Sequence, residues 1–558
     1  MKSEVISALK VTGLDEKSIT DLIEIPKESS HGDYSFPCFV LSKKLKKNPV
    51  EIAREIASKI KSKEFEKVEA VGPYVNFFLD SKKNASDILQ KIIKMKDKYG
   101  SSDVGKGKKF MIEFSQPNTH KAFHVGHIRG TSLGESIARI REFSGYKVTR
   151  VNYSGDTGMH IAKWLWAYLK FHKGEEIRDD ESWFANIYVE AVQKLKDNES
   201  GEMEVAEINK KLDEKKDSKL IKLWKDTRSK SISAWKPIYK DLDVKFNKHF
   251  FESQTESAGK KIANELVKNG LAIISDGATI MDLKKYNLGV WVLLRNDRTV
   301  LYSAKDLELA RNKFLNYKMG ESLVITAAEQ NLHFKQLQKT LELMNFKNWE
   351  KYNHLGFESV RLPEGKMSSR TGKNILYADF RNELVQAAKE EILKRDNIDE
   401  KELNARALAI AVSAIKYSML KQDTNKVIIF NKEESIKFEG DTGPYLLYSY
   451  ARANSILDKA KYKASAKIKI DSININERTL INELSRFPDL VVEASKFLSP
   501  SGIAHYSYNL AQTFNEFYHS CPVLGSAEER FRLCLVSCFI QVLGNALKLL
   551  GIPVLKEM

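Results

Sequence analysis

Residues 109–130, KFMIEFSQPNTHKAFHVGHIRG, decide the fold of this 558-residue chain. Lys109–Ser115 is apolar, rich in residues that favour strands and followed by Pro-Asn, which predicts a short buried strand and a turn. From Gly126 to Phe143 apolar residues recur at helical spacing, and Lys147–Tyr153 predicts a second strand. The order strand, loop, helix, strand is typical of a nucleotide-binding α/β domain built on a parallel sheet.

The predicted helix begins with His124-Val125-Gly126-His127, so two histidines lie in its first turn on nearly the same face. Free backbone N–H groups and the positive end of the helix dipole favour an anion at this position. Gly126 has no side chain, so a phosphate or a flat ring can approach the backbone. Taken alone, the pair fits helix capping as well as a phosphate site. A zinc-peptidase site would need histidines spaced four apart with a glutamate between them.

The composition indicates a soluble globular protein with an anionic partner. Hydrophobic residues make up 42% of the chain, charged residues 29%, and the formal net charge is +16. Nucleic acid is the leading candidate for that partner, although a solvated lysine-rich surface would give the same charge. The four cysteines form no CxxC pair, so we expect a reduced cytoplasmic protein without structural zinc. The apolar stretch Cys534–Leu555 contains polar residues and helix breakers, which predicts a packed helix and not a membrane span.

The residue pattern divides the chain into three predicted domains. Residues 1–100 form a small α+β unit, in which Val68–Leu79 has the pattern of a strand. Residues 105–380 form the α/β domain, with a charged helical insertion at about 173–275 between the two halves of the sheet. Residues 385–558 have an almost purely helical pattern and form the last domain.

A second motif lies in Gly365–Gly372, GKMSSRTG. Glycines allow the loop to move, Lys366 and Arg370 supply positive charge, and the serines supply hydrogen-bond donors, which suits a triphosphate. As an isolated feature, the loop could equally be an exposed basic turn. Together with HVGH at the first strand–helix junction, it resembles the signature pair of class I aminoacyl-tRNA synthetases, in which the histidines and the lysine loop bind ATP.

The resemblance narrows to the arginyl-tRNA synthetase family and covers nearly the whole chain. The family motif SPNxxKxxHxGH is similar to the segment from Gln116 to His127, where Gln116 stands in place of the serine of many members. The family's GPY…YxxAR helix resembles residues 443–452, and its extra N-terminal domain resembles residues 1–100. Ser369 replaces the usual second lysine of the loop, and by the resemblance Lys121 and Arg370 compensate for it.

The resemblance implies four groups of site residues. Catalysis is assigned to Lys121, His124, His127, Lys366 and Arg370. ATP binding is assigned to His124, Gly126, His127, Lys366, Met367, Ser368 and Ser369. Arginine binding is assigned to Glu113, Gln116, Pro117, Asn118, His127, Tyr302, Asp306 and Gln330. Contact with tRNA is assigned to Tyr74, Asn76, Tyr445, Tyr448 and Arg452.

The chemistry of an arginine pocket gives an independent argument for part of this assignment. A planar guanidinium requires carboxylates, because paired charge-assisted hydrogen bonds distinguish it from an ammonium. Tyr302 and Asp306 are four apart on a predicted helix and share a face, and Glu113 ends the first strand at the edge where ligands gather. Without the motifs, Asp306 would be interpreted as a solvated helical carboxylate and Gln330 as a loop amide. The tyrosines would equally fit a helix core.

The expected activity is ligation of arginine to tRNA in two steps. ATP with Mg²⁺ forms an arginyl-adenylate, and the 2′-hydroxyl of the terminal adenosine of tRNA(Arg) then takes the arginyl group. We expect no protein-bound metal, no membrane association and a monomer. The alternatives are a small nucleotidylyltransferase, a class I synthetase for another amino acid, and a catalytically inactive tRNA-binding paralogue.

Overall fold

The computed structural model describes residues 2–26, 31–61, 65–363, 376–394, 398–465 and 468–558. Its strands are β1 (Tyr34–Pro37), β2 (Phe65–Val71), β3 (Tyr74–Leu79), β4 (Lys109–Glu113), β5 (Lys147–Ser154), β6 (Lys248–Phe251), β7 (Ile273–Ser275), β8 (Ala278–Asp282), β9 (Val290–Leu294), β10 (Glu321–Ala327), β11 (Tyr352–Phe357), β12 (Val360–Arg361) and β13 (Ile428–Ile429).

Its helices are α1 (Lys2–Leu9), α2 (Glu16–Leu22), α3 (Phe39–Leu45), α4 (Pro49–Lys59), α5 (Ser81–Met95), α6 (Val125–Phe143), α7 (Met159–Phe171), α8 (Glu181–Leu195), α9 (Glu199–Glu214), α10 (Ser218–Ala234), α11 (Lys236–Asp241), α12 (Glu252–Lys268), α13 (Tyr302–Leu315), α14 (Asn331–Leu343), α15 (Tyr377–Leu393), α16 (Glu400–Leu420), α17 (Lys432–Ser435), α18 (Gly443–Lys459), α19 (Ile475–Phe497), α20 (Pro500–Ser520) and α21 (Glu529–Leu550).

A parallel sheet of five strands, in the order β11-β10-β4-β5-β6, positions the site. The chain runs from β4 through β5 to β6 and then returns to the other side of β4 at β10. Open sheets of this kind bind ligands beyond the carboxyl ends of the strands where the strand order reverses, which here lies between β4 and β10. Glu113, the last residue of β4, is in register with Val324 of β10 at this place. The predicted Rossmann-type α/β domain is confirmed.

Helix α6 is buried along nearly its whole length because it packs between β5 and α16. The apolar positions that predicted it, among them Ile128 and Ile137, are fully or almost fully buried. Arg129 is also buried, and its guanidinium donates to the backbone carbonyls of Glu358, Asp423 and Lys426. These bonds satisfy a buried cation with backbone oxygens and fix α6 against two later segments of the chain.

The predicted charged insertion contains helices α8 to α11. Helices α7 to α10 bury the tryptophans Trp164 and Trp224 in a core of their own. The edge strand β6 follows these helices. The sequence did not predict β6, because Lys248–Phe251 is only four residues long and directly precedes α12.

The first of two compact units contains Met1–Tyr99, Ile456–Arg486 and Gln512–Val542. Its antiparallel sheet has the order β1-β3-β2, and helix α4 packs on β2 and β3. Val68–Leu79, which the sequence predicted as one strand, belongs to two paired strands with Gly72-Pro73 between them. Asp33 accepts two bonds from the Arg478 guanidinium, at 2.8 and 3.0 Å, and one from the Leu79 amide. This small α+β region matches the predicted N-terminal domain type.

The second unit contains Gly100–Ser455, Phe487–Ala511 and Leu543–Met558. Beyond α14 it is dominated by helices, of which α15 and α16 pack against each other. The predicted helical character of the last third of the chain is confirmed. Helix α21 is apolar and long enough to cross a membrane, but 72% of its most apolar stretch of 18 residues is buried inside the protein. It is therefore a core helix, as the sequence predicted.

Candidate active site

The two histidines of HVGH cap the first turn of α6. The His124 ring accepts the Gly126 amide through Nδ1 at 3.2 Å, and the His127 ring accepts the His124 amide through Nδ1 at 3.1 Å. The two rings stack with their centroids 3.9 Å apart. A Cβ atom at position 126 would stand 3.0–3.1 Å from the His124 ring, so glycine leaves room for the ring itself. The helix-capping and ligand-binding interpretations are therefore compatible, because capping uses only Nδ1.

Each ring keeps one nitrogen that the cap does not use. Since Nδ1 of both rings accepts a backbone N–H, the imidazole proton lies on Nε2. Burial, together with the nearby positive charge of Lys121, lowers the pKa of His124 to about 4. Burial and then the charges of His124 and Lys121 also lower the pKa of His127 well below its ordinary value. At neutral pH both histidines are uncharged N–H donors, which suits hydrogen bonds to phosphate oxygens.

Lys121 supplies the positive charge beside these rings. Its Nζ lies 5.0 Å from the centroid of the Tyr188 ring, which belongs to insertion helix α8. Burial lowers the pKa of Lys121. The cation–π contact orients the ammonium without neutralising it, because a tyrosine ring carries no net charge. The insertion thus contributes to the histidine site, a connection that the sequence did not indicate.

The segment before the histidines is anchored from two sides. The Phe123 amide donates to Glu181 Oε1 of α8 at 2.7 Å, and the Phe123 carbonyl accepts the Tyr377 amide at 3.0 Å. His124 and Leu376 form an isolated antiparallel bridge. The predicted loop residues Lys366, Met367, Ser368, Ser369 and Arg370 lie outside the described residues. Leu376 follows the last of them by six positions, so the chain that leaves the loop is bonded directly beside the histidines.

Three carboxylates converge near the carboxyl end of the sheet. Burial, followed by the negative charges of Asp306, Glu252 and Glu113, raises the pKa of the Tyr153 hydroxyl well above its ordinary value. The charges of these three side chains therefore all act on one hydroxyl group. Two of them were predicted as arginine contacts. Glu252 was not, because it follows the unpredicted strand β6.

Two of these carboxylates have lysine partners, and the third does not. Lys313 Nζ lies 2.6 Å from Glu113 Oε2, and Lys305 Nζ lies 3.2 Å from Glu252 Oε2. Within the part of the chain that the structure describes, no lysine or arginine is within ion-pair distance of Asp306, whose partner is the imidazole of His333. The Asp306 side chain is 16% exposed. Among these three carboxylates, Asp306 is therefore the one to which a further cation could bind.

Asn118 lies in a tightly constrained loop after β4. Ser115, Gln116 and His120 all have positive φ angles, of 78°, 49° and 62°, which non-glycine residues rarely adopt and which concentrate at functional sites. A Cβ atom at Gly155 would stand only 2.3 Å from Asn118 Oδ1. The loop and the glycine opposite it thus fix the predicted arginine-binding amide.

Family models match this chain in three consecutive parts. The catalytic-domain model of class I tRNA synthetases (R) matches residues 88–432, the DALR anticodon-binding model matches 446–558, and the arginyl-tRNA synthetase N-terminal model matches 1–79. The chain belongs to the arginyl-tRNA synthetase family. The first of these matches covers the sheet, both histidines and all three carboxylates.

Relatives of nearly the same length support this membership. The arginine–tRNA ligase of Clostridium kluyveri is 36% identical over 554 residues, which cover 98% of this chain and 97% of that protein. The arginine–tRNA ligase of Bdellovibrio bacteriovorus is 35% identical over 557 residues, covering 97% and 95% of the two chains. The solved arginyl-tRNA synthetase of Thermus thermophilus aligns with a TM-score of 0.82 at 25% identity and covers 100% of this chain and 99% of its own.

The structure brings most of the residues predicted from the family motifs to the same end of the sheet. Glu113 Oε1 accepts the Gln116 amide group at 2.9 Å, and the neighbouring Pro117 is buried. Tyr302 is 57% exposed and its ring lies 4.8 Å from the ring of His333, between centroids. Gln330 is exposed at the start of α14. No group of three or more His, Cys, Asp or Glu residues in the described ranges is arranged to hold a metal ion.

The predicted tRNA contacts belong to both compact units. Tyr74 and Asn76 line a cavity of about 290 Å³ in the first unit, where Asn76 Oδ1 accepts the Ser35 hydroxyl at 2.7 Å. On α18, the Arg452 guanidinium donates to the Tyr448 hydroxyl at 2.8 Å, and the ring of Tyr445 packs on that of Tyr508. The α18 residues are half-buried, so each presents part of its side chain to solvent.

Proposed function

We propose that this chain ligates L-arginine to tRNA(Arg) in two ATP-dependent steps. In the first, an arginine carboxylate oxygen attacks the α-phosphorus of ATP, the bond to the bridging oxygen breaks and pyrophosphate leaves. In the second, the 2′-hydroxyl of the terminal adenosine attacks the carbonyl carbon of arginyl-adenylate, and AMP leaves. Neither step needs a nucleophile from the protein, so the side chains act by positioning and charge stabilisation.

The arrangement around the histidines supports ATP binding. The two Nε2–H groups of His124 and His127 are neutral donors, and Lys121 supplies a positive charge beside them. Lys366, Arg370 and the residues between them complete the proposed triphosphate site, and Mg²⁺ enters with ATP as part of the substrate. Two contacts support this proposal: the Tyr377 amide donates to the Phe123 carbonyl, and Leu376 forms a bridge with His124. Both contacts hold the chain shortly after that loop beside the histidines.

The pairing of the three carboxylates carries the proposal for arginine. Glu113 and Glu252 are paired with lysines, whereas Asp306 has no lysine or arginine partner among the described residues. A guanidinium bound to Asp306 would neutralise this carboxylate and would donate charge-assisted hydrogen bonds to it. Gln116, Pro117, Asn118, His127, Tyr302 and Gln330 complete the proposed arginine site.

Recognition of tRNA is assigned to residues in both units. We propose that Tyr74 and Asn76 contact the tRNA elbow and that Tyr445, Tyr448 and Arg452 contact the anticodon stem-loop, where exposed bases are read by stacking. The net charge of +16 favours the phosphate backbone. We further propose the domain limits 1–100, 105–380 and 385–558 and a cytoplasmic monomer. The inactive-paralogue alternative has no support, since the histidines are in place and the near full-length relatives are ligases by name.

Pyrophosphate exchange tests the arginine assignment. Asp306→Asn should raise the KM for arginine about 100-fold or more, because a substrate cation loses its carboxylate, while the KM for ATP stays near its wild-type value. Glu308→Gln is the matched control, since Glu308 is a partly buried carboxylate on the same helix that faces Arg311. Exchange should be measured with and without tRNA. An unchanged arginine KM in the asparagine variant would refute the assignment, and a wild-type enzyme without exchange in the presence of tRNA would refute the function.

A further inference from the structure

A chain of hydrogen bonds lies behind the Asp306 carboxylate and connects three elements. The indole Nε1–H of Trp291, on β9, donates to His333 Nδ1 at 3.2 Å. His333 Nε2, on α14, lies 2.8 Å from Asp306 Oδ2, on α13. Trp291 is 4% exposed and His333 is 6% exposed, so water does not replace either partner. The family motifs that predicted Asp306 include neither of these residues.

The indole donor determines the state of the imidazole. An indole N–H can only donate, so His333 Nδ1 must offer its lone pair and the ring proton must lie on Nε2. The ring is then neutral and donates to Asp306 Oδ2. A doubly protonated ring would direct an N–H at the indole N–H and would form an ion pair with Asp306. That ion pair would supply the charge that the site otherwise takes from its substrate.

We propose that His333, held in its neutral form by Trp291, is a positioning residue for arginine recognition. It orients the Asp306 carboxylate through one oxygen and leaves the other oxygen and the net negative charge for the guanidinium. The His333 ring also packs beside Tyr302, at 4.8 Å between centroids, so one imidazole supports two residues of the proposed arginine site. The inference rests on the proposed function, and specifically on the role of Asp306.

The test compares four variants in arginine-dependent pyrophosphate exchange on the full chain. His333→Phe fills the space but cannot donate, His333→Gln restores an N–H donor, and Trp291→Phe removes the indole donor. Gln336→Met is the matched control. Gln336 lies one turn further along α14, is also 6% exposed and donates to the Leu288 carbonyl, but it does not contact Asp306. Circular dichroism and thermal melting would establish that each variant folds.

We expect His333→Phe to raise the KM for arginine about 10- to 100-fold, with kcat and the KM for ATP within about threefold of wild type. His333→Gln should recover most of the arginine affinity, and Trp291→Phe should raise the arginine KM several-fold. In histidine-selective ¹⁵N spectra, the signal of the His333 ring is the one that is missing in His333→Gln. In the wild type, this signal should show that the ring proton lies on Nε2.

Two results would overturn the inference. One is a His333→Phe enzyme whose kinetic constants match those of Gln336→Met, and the other is a loss that falls on kcat while the arginine KM is unchanged. Asp306→Asn separates this failure from failure of the proposed function. If Asp306→Asn raises the arginine KM and His333→Phe does not, only the positioning role is wrong. If neither raises it, the arginine site itself is misassigned.

Discussion

Replacing Glu181 with glutamine would test how the insertion supports the histidine segment. Glu181 is 8% exposed, and its Oε1 accepts the Phe123 amide next to His124. Burial, with the charges of Asp180 and Asp379 acting in the same direction, raises the pKa of this carboxyl from 4.5 to about 7, although the bond from Phe123 opposes the shift. Between about pH 4.5 and pH 7, the Glu181 carboxyl is therefore protonated in the folded protein and ionised in the unfolded chain.

The size and sign of the effect follow from that shift. Because the folded state binds the proton more tightly, the contribution of Glu181 to stability is complete below about pH 4.5 and is lost as the pH rises through about 7. At ~1.4 kcal/mol per pKa unit, the shift corresponds to a loss of about 3 kcal/mol between those limits. Glutamine does not titrate and can still accept the Phe123 amide, so Glu181→Gln should gain about that much relative to the wild type between pH 5 and pH 8.

Infrared spectroscopy measures this titration directly. The wild type minus Glu181→Gln difference spectrum should contain the C=O stretch of a protonated carboxyl at pH 6 and should lose it with a midpoint near 7. Asp180→Asn is a second variant with a predicted effect. Because it removes a nearby negative charge, it should lower the midpoint at which Glu181 titrates. Denaturation midpoints of the wild type and Glu181→Gln, compared across the same pH range, report the stability difference. A midpoint near 4.5, or a stability difference that does not depend on pH, would refute the reasoning.

Two further substitutions test the proposed arginine site. Gly155→Ala should lower kcat/KM about 100-fold without unfolding the protein. The new Cβ would stand 2.3 Å from Asn118 Oδ1 and would displace that side chain by about an ångström. Wild-type kinetics in this variant would contradict the position of Asn118. Lys313→Met should destabilise the protein by about 3–5 kcal/mol, because the buried Glu113 carboxylate loses its cation. Denaturation midpoints would show this loss, and a wild-type midpoint would mean that the pair is dispensable.

Local sequence patterns were sufficient for the scaffold of the site. The strand, helix and strand around HVGH are each determined by their own periodicity, and β4, α6 and β5 lie within one or two residues of the predicted bounds. The stacked, capping histidines also follow from local geometry, because residues three apart meet at the start of a helix. Strand β6 was missed because four residues carry too little pattern to separate a strand from the start of α12. The hairpin of β2 and β3 was missed although Gly72-Pro73 is a turn signal.

The partners of the site residues were harder to predict, because they come from distant parts of the chain. Glu181 meets Phe123 across 58 residues, and Lys313 meets Glu113 across 200 residues. Nothing in the sequence near Glu113 indicates that its charge is already neutralised. The roles of carboxylates in a pocket depend on such pairings, and therefore on the tertiary structure more than on the motif.

The spacing of residues on helix α13 becomes informative once the structure shows which face of the helix is buried. The helix carries Tyr302, Lys305, Asp306 and Lys313, and positions 302, 306 and 313 share a face because they are separated by four and seven residues. A lysine on the inward face of a helix needs a buried acid, since an unpaired ammonium is too costly to bury. Lys313 is 1% exposed, which implies a carboxylate opposite it, and the end of β4 provides one. Asp306 lies between the two lysines in sequence but is paired with neither in the described structure, and this is why we propose it for the substrate cation.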